Sequence, residues 1–170
     1  MSAYLTPVPA ADIERSLEKI AAETTVSRLL NVTCEELAVL LDASRCSVSR
    51  IIGDLLVELS DYLRSGVPAT LELFLVSDYP LTQEVIDSGE PRVVQRSDPS
   101  ADPAETALLE RLGSDSLLML PLRSRGQNWG LVEVYADERH FQPAEIELAI
   151  TMVDRVGELL AALESGATRV

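Results

Sequence analysis

The chain has 170 residues, of which 46% are apolar and 25% charged, enough to bury a sizeable core in one unit. Its net charge is −14, with 28 acidic residues set against 14 basic ones along the whole sequence, which leaves no basic footprint for nucleic acid or an anionic membrane. No apolar run approaches the ~20 residues that cross a bilayer, and the stretch from Met1 to Pro9 lacks the basic flank and apolar segment of a secretory signal.

Pro7 and Pro9 mark an extended leader over residues 1–10. From Ala11, the residues Ile13, Leu17 and Ile20 recur at helical spacing. Thr24 and Thr25 interrupt that pattern, and the Thr25 hydroxyl is placed to cap a second helix running to about Leu41. Leu29, Leu30, Leu37, Leu40 and Leu41 form its inward face. Arg45 to Ile52 reads as a strand, with Cys46, Val48 and Ile52 on one side and Ser47, Ser49 and Ile51 on the other. Gly53-Asp54 sits where a two-residue hairpin turn belongs, and strands follow over 55–62 and 70–76. Leu81 opens a short helix that Gly89 ends, and Arg92 to Gln95 is a short strand. The segment from Ser97 to Pro103 reads as an exposed loop. A helix over 104–112 stops at Gly113. Strands over 115–123 and 128–136 then flank a turn containing Gly126.

Pro143 suits the first turn of the last helix, whose stripe is Ile146, Ala149, Ile150, Val153, Val156, Leu160 and Leu163. The expected class is α+β: five to six antiparallel strands, long helices from both ends of the chain on one face, short helices and loops on the other. Residues 11–165 make one domain, and 166–170 a tail.

Chemistry is sparse. Cys34 and Cys46 form no CxxC, and Cys34 shares helical spacing with Leu30, Leu37 and Leu41, so both read as buried, reduced thiols of a cytoplasmic protein. The carboxylate pairs Glu35/Glu36 and Glu145/Glu147 fall on polar helix faces. There is no Gly-x-Ser-x-Gly elbow and no phosphate-cradling glycine loop. Arg50 interrupts the apolar side of its strand, where it either snorkels or meets an anion. Glu133, flanked on its face by Leu131 and Tyr135, is either structural or ligand-facing. Tyr79, Val85, Ile86, Leu118 and Leu120 suit an apolar pocket lining, and core packing accounts for them equally well.

Five pieces in order carry a resemblance: Asp78 through Pro91, Asp98 through Pro103, Leu117 through Leu122 with its Arg-Gly turn, Gly130 through Tyr135, and Phe141 through Glu145. Over about residues 13–163 they resemble a bacterial GAF domain. The resemblance implies a pocket on the sheet face opposite the terminal helices. It also implies binding of a small molecule, dimerisation through those helices, and control of a downstream output domain or partner, without catalysis. The pocket candidates are Arg50, Tyr79, Val85, Ile86, Leu118, Leu120, Glu133 and Tyr135. Ile13, Leu17, Val26, Val156 and Leu159, left over once the inward stripes are used, are candidates for a homodimer face.

Departures from the family narrow the ligand. The Asn-Lys-Phe-Asp-Glu signature of cyclic-nucleotide members is missing, and the only histidine is His140, in a turn. No cofactor is therefore evident, with haem and bilin set aside. Two alternatives stay open: a dimerisation module whose pocket is filled by side chains, and a redox enzyme like the free methionine sulfoxide reductases. The second requires Cys34 or Cys46 exposed in a cleft.

Overall fold

Thr25 caps its helix, the hydroxyl accepting from the Arg28 amide at 3.3 Å. That helix is α2 (Val26–Leu40), and α1 (Ala10–Ala21) precedes it. The computed structural model describes residues 6–66 and 72–166. Next come β1 (Arg45–Ile52) and β2 (Leu55–Leu63), a hairpin closed between Ile52 and Leu55, with Gly53 at φ +62° in the turn. Then follow β3 (Leu73–Leu75), α3 (Pro80–Ser88), β4 (Arg92–Gln95), α4 (Pro103–Leu112), β5 (Ser116–Ser124), β6 (Gln127–Ala136) and α5 (Pro143–Gly166).

The strands form one sheet in the order β3-β2-β1-β6-β5-β4, with antiparallel neighbours throughout. The α+β architecture is the one the sequence implies. The third strand is shorter than the expected 70–76, and residues 70 and 71 of that span lie outside the described residues. So do residues 1–5 of the leader and 167–170 of the tail. No helix among the described residues is long and apolar enough to cross a membrane.

Alternation sorts the strand residues onto two covered faces. Cys46, Val48, Leu118, Leu120, Leu122, Val132 and Val134 pack with Ile20, Leu29, Leu37, Met152, Val156 and Leu160 of α1, α2 and α5. The other face presents Leu56, Leu117, Met119, Leu131 and Tyr135 to Val85, Ile86 and Leu109 of α3 and α4. Because helices cover both faces, β5 is apolar at consecutive positions. Each fully buried leucine contributes about 1.5–3 kcal/mol, so both layers matter to stability.

One irregularity positions the site. Val48 faces Ser60, but Ser49 faces Glu58, so Leu59 is an extra residue in β2. A bulge of this kind resets the alternation. It puts Glu58 and Asp61, three positions apart, on the same side of the sheet, and leaves Leu59 exposed.

Candidate ligand site

The α3–α4 side of the sheet collects carboxyl groups. Arg45 grips both oxygens of Asp61, Nε and Nη2 each at 2.8 Å, and its Nη2 is 3.5 Å from Glu58 Oε1. The same guanidinium lies 5.6 Å from the centre of the Tyr135 ring. Burial and the neighbouring Asp61 push the Glu58 carboxyl up to about 8, with Arg45 pulling the other way. Burial, and then the charge of Glu105, push Glu133 up to about 8. Arg45 and the hydroxyls of Tyr135 and Ser47 oppose that rise. Burial also holds the Tyr135 phenol well above its ordinary range.

α4 supplies the next group. Its cap is Asp102, whose carboxylate accepts from the amides of Ala104 at 2.9 Å and Glu105 at 3.4 Å. Glu105, at the third helical position, turns inward instead of reaching back to the Asp102 amide. The Glu105 side chain is fully buried. Its Oε1 accepts from the Thr82 hydroxyl at 2.7 Å, while Oε2 has no hydrogen-bond partner among the described residues. Burial raises this carboxyl and the Thr82 bond opposes the rise.

Glu105 and Glu133 line one cavity together with Leu56, Phe74, Tyr79, Thr82 and Leu108. It measures about 240 Å³ with its mouth, but only about 10 Å³ admits the centre of a water molecule, which is room for about one water. At the cavity wall, Phe74 and Tyr79 meet edge to face with ring centres 5.9 Å apart. Burial raises the Tyr79 phenol, and Arg111 draws it back.

Of the pocket candidates, Tyr79 and Glu133 line this cavity, and Val85, Ile86 and Tyr135 belong to the apolar cluster around it. Leu118 and Leu120 do not. They lie in the core beneath α1, α2 and α5, because each is one position out of phase with Leu117 and Met119. Arg50 shares the Val48 side and is likewise removed from the cavity. It stacks 4.3 Å from the Trp129 ring and donates to the Trp129 carbonyl at 3.3 Å. Among the dimer-face candidates, Val156 is corrected outright: it is fully buried in the helix-side core. Leu17, Val26 and Leu159 are partly buried against that core, and Ile13 is half-buried.

Cys34 and Cys46 are fully buried free thiols in the helix-side core, not in a cleft. His140 lies in an open groove with Arg96, Asp115 and Arg139. Among the described residues no group of His, Cys, Asp and Glu could hold a metal ion. Sequence reasoning passed over Arg45, Glu58, Asp61, Thr82 and Glu105.

The model of the GAF domain family matches residues 25–160, a span from the Thr25 cap to Leu160 that contains every residue lining the cavity. The chain belongs to the GAF domain family. Solved structures superimpose on this GAF domain over nearly its whole length. The photosensory core module of Stigmatella aurantiaca phytochrome does so with a TM-score of 0.82 at 16% identity, over 98% of this chain and 40% of that one. A bacteriophytochrome from the photosynthetic bacterium R. palustris gives 0.81 at 11% identity, over 92% and 38%. The chromophore-binding domain of the S. aurantiaca bacteriophytochrome gives 0.76 at 16% identity, over 89% and 59%. The chain therefore spans between 38% and 59% of these three solved chains. No curated protein matches it.

These superpositions correct one expectation. Setting haem and bilin aside, with no cofactor evident, rested on the position of one histidine and two cysteines. Yet the fold is shared with domains described as chromophore-binding in S. aurantiaca and R. palustris. A fold's capacity to seat a group is not decided by three side chains. What the cavity of this GAF domain offers such a group is carboxyl, hydroxyl and aromatic contacts, with Cys34, Cys46 and His140 placed elsewhere.

Proposed function

We propose that this GAF domain is a sensory and regulatory module of signal transduction. A small molecule enters the cavity beneath α3 and α4, and the event is passed through the sheet to the helix layer. The observation that carries this reading is the unpartnered Oε2 of Glu105, a fully buried residue that lines a cavity together with Glu133. Buried polar atoms are satisfied in about nine cases in ten or more, so an orphan at a cavity wall points to a partner from outside the chain.

The sheet supplies the route. Leu117 and Met119 touch the cavity-side cluster while Leu118 and Leu120, between and beyond them on the same strand, hold the helix-side core. A ligand that favours one arrangement of α3 and α4 over another shifts the population of helix packings by that difference in affinity. The output is a homodimer formed through α1, the start of α2 and α5, with Ile13, Leu17, Val26 and Leu159 at its face, acting on a downstream domain or partner in the cytoplasm. The solved relatives support a module of this kind, being parts of longer photosensory chains. The role is regulatory and not catalytic.

One observation favours the competing reading of a ligand-free dimerisation module: the cavity is narrow, with space for about one water. Native mass spectrometry and a visible absorption spectrum of protein purified from its own host separate the two. A dimer mass with a retained small molecule, or an absorbance band from a retained chromophore, is the expected result. A dimer that carries nothing supports the competing module, and a bare monomer overturns both.

A further inference from the structure

The cavity also specifies a class of ligand, an inference that rests on the sensory reading above. We propose that it recognises the cationic nitrogen of a small organic amine: a primary ammonium group donates to Glu105 Oε2 and to Glu133, while the attached carbon chain lies against Leu56, Phe74 and Leu108.

In its ionised form the site demands a donor. Glu105 is fully buried, with Oε1 engaged by Thr82 at 2.7 Å and Oε2 unpartnered among the described residues. In the ionised carboxylate, Oε2 can only accept. In the acid form, with Thr82 donating to Oε1, the proton sits on Oε2, so a donor ligand binds by selecting the ionised form. Glu133 adds a second carboxyl to the lining, and among the described residues no cationic side chain lines the cavity.

The neighbouring cations are committed elsewhere. Arg45 is spent on Asp61 at 2.8 Å and Glu58 at 3.5 Å. Arg111 is exposed and pairs with Glu72 at 3.4 Å.

Three ligand chemistries can be weighed against this wall. An anion meets like charge once either carboxyl is ionised. A hydrocarbon leaves Oε2 unsatisfied at the full desolvation cost. An ammonium brings three donors and a compensating charge to two carboxyls. Its head is about as large as the single water the cavity admits. The carbon chain then lies against the apolar part of the lining, Leu108 and the Phe74 ring among it.

The test adds n-butylammonium chloride to the full chain, with n-butanol, sodium butyrate and tetramethylammonium chloride in parallel. Methyl NMR signals of Leu56 and Leu108 report on the cavity. The expected result is saturable movement of both signals by butylammonium. Glu105→Gln should weaken that binding about tenfold or more, the worth of one hydrogen bond to a charged group. Glu133→Gln serves as the second variant if Glu105→Gln does not fold. Equal binding of butanol, butyrate or tetramethylammonium overturns the amine assignment and leaves the cavity as a sensor for another class. So does unchanged affinity in the folded variants. Failure of all four compounds to move either signal also overturns it, and the sensory reading is then decided separately by the native mass spectrum.

Discussion

The Arg123 carbonyl lies so close beneath Gly157 that a β-carbon built at position 157 would stand 2.1 Å from that oxygen. α5 therefore rests backbone to backbone on the β5–β6 hairpin. Both groups belong to regular elements, so no side-chain rotation relieves the contact. Gly157→Ala is expected to lift the helix and cost about 1–3 kcal/mol, as overpacked sites do. Thermal unfolding should show the midpoint several degrees lower. An alanine variant as stable as the parent would refute the contact.

Arg45 is the counter-charge of a buried acidic pair. Its side chain is 14% exposed, against 1% for Asp61 and 2% for Glu58. Arg45→Met strands Asp61 without a cation and should destabilise by about 3–5 kcal/mol. Adding Asp61→Asn should return part of that loss, because the two changes share one interaction. Denaturant titration of the four-member cycle measures the coupling, and strictly additive losses would deny it.

Glu58 and Glu133 keep their protons up to about 8 in the fold, against an ordinary 4.5. Between those values the native state holds more protons than the unfolded chain. The stability linked to these groups is therefore complete below about pH 4.5 and is lost as pH rises through about 8. The net charge of −14 pushes the same way through self-repulsion, so the informative quantity is a difference. Urea midpoints for the parent should fall more steeply across this window than those of Glu133→Gln. Parallel curves would count against the buried acid at 133.

Cys34 and Cys46 face each other's surroundings in the helix-side core, and the proximity of Cys34, with burial, pushes the Cys46 thiol well above its ordinary range. Both sulfurs are fully buried, so both should resist a thiol reagent in the native state and react only on unfolding. Rapid native labelling of either one would reopen the redox alternative.

Much of the fold was legible in the sequence because its signals are local. Thr25 as a cap, Pro143 in a first turn and Gly89 and Gly113 as helix stops act within one turn of themselves. The candidate site was less legible. Alternation correctly paired Leu118 with Leu120, but it could not say which face they join when both faces of β5 are apolar. Glu58 and Asp61 share a side only through the bulge at Leu59, which no residue type announces. Glu105 follows Asp102-Pro103 at the third helical position, where an acid ordinarily serves the cap. Its burial depends on how α4 docks, and that is decided by residues distant in the chain.

The centre of the sheet is a seam between its first and last strands in the chain: β1 pairs with β6, Arg45 opposite Tyr135. The amino-terminal hairpin thus leaves the ribosome with an open flank and waits for most of the polypeptide before that flank is sealed. Closing so wide a loop is slow, and during the wait the unsatisfied edge is the point at which a nascent chain is most exposed to faulty association.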